Sequence, residues 1–292
     1  MNIGKRLWYM APVVALSLVA TNVGFATAGE PGIREVTLTA AGRAMVDRTV
    51  ARHRGLGIGS PRADLRVWRL GPGDYLVGRY LPMGLRASVA RGPHGSVTAG
   101  LSFQVSVAPA VPPRTRLVAV ASPTWAWRAQ DCFTRIGSVV LGYIDACYSI
   151  HRLVGESDPR DYYKLEQYGT VGAGVVRKIY SGTLSAVKGP GSGTMRWVDW
   201  SPRGDLSGSC TGIPLSVTAL GVSISGSGLM CEHWNITKGT DPGTFRESWE
   251  CGCIWPLGQP YPNDREIDYM QAISVPNGKP AIWTLSAAYT AA

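Results

Sequence analysis

The sequence predicts a mainly β protein with a disulfide-stapled β-sandwich or barrel-like C-terminal domain and a small α+β N-terminal module. Three observations support this prediction. All six cysteines of the 292-residue chain lie between Cys132 and Cys253. The same region consists of short β-branched and aromatic segments separated by glycine- and proline-containing turns. The one clear helix signal precedes them, near residue 40.

Residues 1–28 have the layout of an export signal. Lys5 and Arg6 precede an apolar run from Leu7 to Ala20, and Ala26-Thr27-Ala28 has the small residues of a cleavage site. Pro12 interrupts the run, which is shorter than the roughly 20 apolar residues that span a bilayer. We expect cleavage after Ala28, no membrane span afterwards, and a secreted protein that is extracellular or associated with the cell envelope.

The chain is basic, with a formal net charge of +9. Cleavage removes Lys5 and Arg6 and no acidic residue, so the mature charge is 9 minus 2, or +7. A basic exported protein is attracted to anionic envelope polymers, and salt weakens that attraction. Because the chain has neither a basic run nor a known nucleic-acid-binding motif, we do not expect nucleic acid as a partner.

Composition divides the mature chain. Residues 29–108 contain no cysteine, and residues 109–116 begin with the proline-rich stretch Pro109 to Pro113, which is typical of a stiff linker. Residues 117–292 contain every cysteine and eight of the ten tryptophans. We predict a disulfide-containing β domain there, while residues 29–108 form either a small α+β module or a pro-segment.

The N-terminal region contains the predicted helix and several strands. The helix runs from an N-cap at Thr39 to about Arg54 and ends at Gly55. Residues 65–70 and 75–80 flank a Gly-Pro-Gly-Asp turn and predict a hairpin, and residues 101–107 alternate like a strand. A basic cluster ends the helix (Arg48, Arg52, His53 and Arg54), and we interpret it as a solvated helix end in preference to an anion site.

The residue pattern of the C-terminal region predicts β-strands throughout. Strands are predicted over residues 142–150, 215–219 and 222–224. Turn sequences such as Asp241-Pro242-Gly243 and Pro276-Asn277-Gly278 separate such segments. Many short strands at this spacing are typical of a sandwich or barrel.

The six cysteines are disulfide candidates, and six cysteines allow 15 pairings. Two local pairings are favoured, Cys132 with Cys147 and Cys210 with Cys231, because each pair brackets a short β segment. Cys251 and Cys253 remain; we interpret them as structural, although a strained bridge between them would be redox-active. Their spacing does not suit zinc, so no metal site is predicted.

Tryptophans are the other candidate site. Trp125 and Trp127 are two residues apart and project from one strand face, and Trp197 and Trp200 form a second pair near Arg196. These five residues are a candidate ligand platform for polysaccharide, since flat aromatic rings stack on sugars. Core packing explains the same tryptophans and is the favoured interpretation.

The sequence contains no signature of a known catalytic or cofactor site. Its four histidines are widely spaced, and it has neither a nucleophile elbow nor a phosphate-binding loop. We therefore predict a protein without a cofactor that is not an enzyme. Paired carboxylates need no local motif, so an extracellular hydrolase of polysaccharide or peptidoglycan is the alternative, with Asp158 and Asp161, or Asp264, Glu266 and Asp268, as its acids.

Together these observations predict a secreted, non-catalytic binding or structural protein of the cell envelope or extracellular space. Anionic envelope polymers or polysaccharide are its expected partners. The ligand, the oligomeric state and the complete disulfide map are not predictable from these residues.

Overall fold

The chain is mainly β, as predicted. The computed structural model describes residues 24–27, 33–37, 40–55, 64–109, 122–137, 142–172, 179–206, 211–230, 234–250 and 264–291. Its helical elements are α1 (Ala40–Gly55) and a short 3-10 turn (Pro93–Gly95). The strands are β1 (Gly24–Thr27), β2 (Arg34–Glu35), β3 (Arg66–Gly71), β4 (Asp74–Gly78), β5 (Arg86–Arg91), β6 (Val97–Val107), β7 (Thr124–Ile136), β8 (Tyr143–Val154), β9 (Arg160–Gly172), β10 (Ile179–Lys188), β11 (Arg196–Ser201), β12 (Thr211–Ala219), β13 (Val222–Met230), β14 (Trp234–Lys238), β15 (Phe245–Glu250), β16 (Asp264–Pro276) and β17 (Ala281–Ala291).

The strands form two large sheets and a separate hairpin. Sheet A has the order β1-β5-β6-β17-β10-β15-β14, and sheet B has the order β11-β16-β9-β8-β7-β4-β3-β2. Strands β12 and β13 pair with each other as a two-stranded sheet. The two large sheets pack face to face, because Phe103 and Leu285 of sheet A share one apolar core with Phe133, Tyr163 and Tyr269 of sheet B.

The alternation of side chains between the two faces of each strand determines which residues form this core. Along β17 every second residue from Ala281 to Ala291 is buried, and the residues between them are half-buried. A strand directs successive side chains to opposite faces, so the apolar set Trp283, Leu285 and Tyr289 points at sheet B. The inner faces of both sheets are therefore apolar, and the outer faces hold most of the polar side chains.

Strands from before and after the proline-rich segment share both sheets. β6 pairs with β17 along its whole length, from Val107 opposite Ala281 to Val97 opposite Ala291. β4 pairs with β7 between Tyr75 and Ile136. Residues 110–121 lie outside the described residues, so the predicted linker and domain boundaries stay predictions; the N-terminal helix and strands are nevertheless integrated into the sandwich.

The predicted helix and the predicted 65–80 hairpin are both present, as α1 and as β3–β4. The interpretation of the basic helix end is wrong for two of its residues. Arg52 Nε donates to Asp145 Oδ2 at 2.9 Å, and His53, with 0% of its surface exposed, hydrogen bonds through Nε2 to Thr134 Oγ1 at 2.9 Å. Burial, reinforced by the charge of Arg52, lowers the pKa of His53 to about 4. These residues attach α1 to sheet B instead of facing water.

One disulfide joins neighbouring strands of sheet B. Cys132 of β7 and Cys147 of β8 are directly opposite each other and form a disulfide bond. This is the local pairing that the sequence favours. Cys210, Cys231, Cys251 and Cys253 lie outside the described residues, so their predicted pairings stay predictions.

Two further expectations concern the membrane and the export signal. Within the described ranges, no helix is long and apolar enough to cross a membrane. Residues 24–27, which belong to the predicted signal peptide, pair as β1 with the edge of β5 in the full-length chain. Cleavage after Ala28 would remove β1 and leave β5 as an edge strand.

Candidate functional site: the outer face of sheet B

The outer face of sheet B, turned away from sheet A, collects polar and aromatic side chains from β7, β8, β9 and β16. Antiparallel pairing aligns them in rows across the four strands. Each row has one residue from β7, β8, β9 and β16, in that order. The first row is Trp127, His151, Lys164 and Ala272, and the second is Gln130, Ser149, Glu166 and Met270. The third row is Cys132, Cys147, Tyr168 and Asp268, and the fourth is Thr134, Asp145, Thr170 and Glu266.

Two elements cover parts of this face. Helix α1 covers the last row through its contacts to Thr134 and Asp145. The β12–β13 hairpin covers the β16 side, where Leu215 and Val217 pack on Met270 and Ala272. We call the area between them, formed by Trp127, Gln130, Ser149 and His151, the Trp127 surface.

Trp125 and Trp127 project from the same face of β7, as the sequence predicts, but their surroundings differ. Trp125 is half-buried, packs near Leu153 and Val222, and donates its indole N–H to the Val222 carbonyl at 3.0 Å. Trp127 is 59% exposed. A β-bulge follows directly, because the register of β7 against β8 shifts between Trp127 and Ala129. The Trp125 indole therefore contributes to packing, whereas the Trp127 indole is open to solvent.

The polar neighbours of Trp127 form a surface without excess charge. Lys164 Nζ donates to Glu166 Oε2 at 2.6 Å, so this cation is neutralised. Burial, followed by the charge of Lys164, lowers the pKa of His151 to about 4, and the imidazole is neutral at pH 7. Gln130 Nε2 donates to the Tyr168 hydroxyl at 3.0 Å. A neutral, hydrogen-bonding surface beside an open aromatic ring suits an uncharged hydroxylated ligand.

The second predicted pair, Trp197 and Trp200, is half-buried against the core, and the two rings meet edge to face with centroids 5.9 Å apart. Lys238 Nζ lies 5.1 Å from the Trp197 ring centroid and 4.6 Å from that of Trp200. Arg203 stacks on Trp200 at 4.8 Å. Arg196, the cation considered from the sequence, is exposed instead. Since the chain's own cations lie on these rings, this pair contributes to packing.

The two candidate sets of hydrolase acids lie apart: Asp158 and Asp161 are at or just before the start of β9, while Asp264, Glu266 and Asp268 are all on β16. Asp161 accepts from Arg152 at 2.7 Å, and Asp158 accepts from the backbone N–H of Arg160 at 2.9 Å. Asp268 and Glu266 occupy successive rows of the outer face of sheet B, while the side chain of Asp264 lies outside what the structure describes. Within the described residues, no three metal-ligating side chains come together.

Sequence reasoning missed His151, Lys164 and Gln130 as neighbours of Trp127. Their proximity results from strand pairing between β7, β8 and β9, and from the bulge at Arg128. Neither feature has a local sequence signal here. Alternation within each strand indicated the shared face of Trp125 and Trp127, but could not indicate which ring the hairpin covers.

Comparison with known proteins gives limited similarity. No protein-family model and no curated protein matches the chain. Among solved structures, one described as a pore forming protein superposes with a TM-score of 0.34 and 7% identity over 70% of this chain and 85% of that one. The Clostridium perfringens delta-toxin gives a TM-score of 0.34 and 10% identity over 70% and 84% of the two chains. Neither similarity bears on the function of this chain.

Proposed function

We propose that this protein is a secreted, non-catalytic protein that binds a polysaccharide of the cell envelope or extracellular space through the Trp127 surface. The observation behind this proposal is the exposure of Trp127, 59% of which is open on the outer face of sheet B while Trp125 and Trp200 are packed. Tryptophan is enriched at binding interfaces, because its large flat ring is apolar while its indole N–H is polar.

The surroundings of Trp127 support a sugar as that partner. An indole offers a flat apolar face to the C–H side of a sugar ring, and the adjacent polar groups supply hydrogen bonds to its hydroxyls. Gln130 and His151 are half-buried beside the ring, so they lose little freedom when they bind. The Cys132–Cys147 disulfide and the signal-like residues 1–28 support an oxidising, extracytoplasmic location.

Replacing Trp127 with alanine tests this proposal. We expect binding of the mature protein to insoluble envelope polysaccharide to weaken by at least about tenfold, because stacking of one aromatic ring contributes on the order of 1.4 kcal/mol or more. Pull-down isotherms at low and high salt measure the effect. Since the Trp127 surface is neutral, binding there persists at high salt, whereas attraction by net charge alone does not.

Met83→Ala is the matched control, because Met83 is also an exposed apolar side chain, at 64%, and lies elsewhere. Equal binding by the two variants would contradict a role for Trp127. The hydrolase remains the alternative hypothesis; release of reducing ends from the same polymer by the wild-type protein would favour it over the binding function.

A second candidate function, contact with a lipid bilayer, is favoured by the β12–β13 hairpin. Its strands have nine residues each, close to the 9–11 that span a bilayer. One face is apolar, with Leu215, Val217 and Ala219 buried, while Ser216 and Thr218 are on the other face. The 20 residues from Thr211 to Met230 include no charged side chain.

The hairpin tip strengthens this candidate. Leu220 and Gly221 form the turn with φ angles of 48° and 79°, which a type I′ turn requires and which asparagine and glycine adopt most readily. Leu220 is nevertheless present and 50% exposed. This leucine supports the candidate, because an apolar side chain at the tip gains free energy when it enters a lipid phase. In a bilayer, the free strand edges would pair with hairpins of further copies, since lipid cannot satisfy them.

The substitution Leu220→Asn tests contact with a bilayer without disturbing the turn. Asparagine suits the turn, so we expect an unchanged or higher melting temperature together with roughly tenfold weaker binding to vesicles of anionic phospholipid and slower dye release. Val187→Thr, which alters an apolar side chain 45% exposed on β10, is the control. Wild-type protein that leaves the vesicles unbound and intact would exclude this candidate.

A further inference from the structure

Glu247 places a carboxyl group inside the sandwich. It lies in β15 two residues after Phe245, so both side chains point toward sheet B. The Phe245 ring packs on that of Tyr269 in β16, with centroids 4.5 Å apart. Within sheet A, the residues directly opposite Glu247 are apolar, Leu184 of β10 and Ile236 of β14. Only 1% of Glu247 is exposed, so its carboxyl group is closed off from water.

The described residues of sheet B that face Glu247 do not include a cation. Tyr269 is completely buried, and its hydroxyl is already bonded because it donates to Gln167 Oε1 at 2.5 Å. Gln271, the next core-facing residue of β16, is uncharged and also completely buried. The charged group that acts on Glu247 is a second acid, Asp268. Neighbouring charge therefore opposes ionisation of Glu247.

No described group stabilises a charge on this carboxyl. In the described part of the chain, Glu247 Oε2 has no hydrogen-bond partner, and no basic side chain forms an ion pair with the group. Burial, followed by the charge of Asp268, raises the pKa of Glu247 well above its usual value. An unpaired carboxylate is so costly to remove from water that the buried group keeps its proton.

Glu247 also lies near the edge of sheet A. β14 is the last strand of that sheet, and the described strand that it pairs with is β15. On its other side, β15 pairs with β10. Local opening of a protein begins in segments with few stabilising contacts, and edge strands are such segments. β14 and β15 can therefore separate from sheet B while the central strands stay paired.

We infer that the packing of β14 and β15 against sheet B depends on the proton of Glu247. While the carboxyl group is protonated, β15 stays packed on Tyr269. When the group ionises as the pH rises, its charge requires water, and the two strands move away from sheet B. Tyr269 stays neutral meanwhile, because burial and the charge of Glu247 raise its pKa well above the usual value. The inference goes beyond the proposed function, because it involves neither the Trp127 surface nor the β12–β13 hairpin.

The direction of the pKa shift fixes the sign of the pH dependence. In the unfolded chain a glutamate has a pKa of about 4.3, and below that pH Glu247 is protonated in both states. Above it, the unfolded chain loses the proton while the folded protein keeps it, so stability falls until the pH reaches the folded pKa. Within this window, each pH unit raises the unfolding equilibrium constant about tenfold.

Glu247→Gln and Glu247→Leu remove the titrating group and test the inference. Urea unfolding of the secreted protein is measured from about pH 4 to about pH 9. Relative to either variant, we expect the wild-type unfolding constant to rise about tenfold per pH unit above about pH 4.5. Glu35→Gln is the control, because the Glu35 side chain is 50% exposed, and its profile should follow that of the wild type.

Hydrogen exchange locates the opening. At about pH 8, the amides of residues 234–250 should exchange faster in the wild type than in Glu247→Gln, while those of β6 and β17 exchange alike in both. Two results would overturn the inference. Stability profiles of the wild type and both Glu247 variants that run parallel would show that Glu247 does not titrate in this window. Exchange that accelerates equally in β6, β17 and residues 234–250 would show that the whole sandwich opens.

Discussion

Arg135→Ala is expected to destabilise the protein by about 3–5 kcal/mol, the range for breaking a buried ion pair. Arg135 is 2% exposed and makes a two-point contact with Asp74, from Nε to Oδ1 at 3.0 Å and from Nη2 to Oδ2 at 2.7 Å. Its Nη1 donates to the carbonyls of Ser88 and Gly100 at 2.7 and 2.6 Å. Alanine would leave the Asp74 carboxylate and both carbonyls without this partner.

The effect is large because Arg135 connects regions that are distant in sequence. It starts from β7 in sheet B and reaches β5 and β6 in sheet A. Urea unfolding measures the loss. Arg66→Ala is the control, since the Arg66–Glu35 pair is 60% and 50% exposed and its removal should change stability by less than about 1 kcal/mol. Similar losses in the two variants would contradict this account of the inter-sheet link.

The double variant Cys132→Ala/Cys147→Ala is expected to lose about 3 kcal/mol of stability. The disulfide closes a loop with a sequence separation of 15 residues, and restricting the unfolded chain over that length contributes about this much. The bond joins directly opposed residues of β7 and β8, so the variant retains the strand register while unfolding at lower denaturant.

The control is Gln130→Ala/Ser149→Ala, which alters the neighbouring opposed pair without removing a covalent bond. Thiol alkylation of the secreted wild-type protein accompanies the measurement. Reactive thiols at both Cys132 and Cys147 in native protein would contradict the disulfide, and with it the argument for an oxidising compartment. A double variant as stable as its control would show that the bond contributes nothing to folding.

Short-range patterns explain what the sequence predicted well. Glycine and proline at 71–73 indicated the β3–β4 turn, and Gly55 marked the end of α1. The pairing of Cys132 with Cys147 followed from a segment short enough to return as a hairpin. In each case the interacting residues are near each other in the chain.

Patterns of the same kind failed where distant segments meet. Arg52 and His53 resembled a solvated helix end, but α1 packs on sheet B and turns them toward Asp145 and Thr134. The bulge after Trp127 and the hairpin that covers Trp125 decide which tryptophan is open. The ion pair between Arg152 of β8 and Asp161 of β9 likewise depends on how these two strands pair.

The amino-acid sequence by itself determined the β class of this protein, its α1 helix and the proximity of its first two cysteines, because turn geometry and alternation act over a few residues. The tertiary structure alone decided which face of each strand is covered, which indole is exposed and which distant charges pair, as Arg135 does with Asp74. Those properties depend on the register and packing of segments far apart in the chain, and local residue preferences do not encode them.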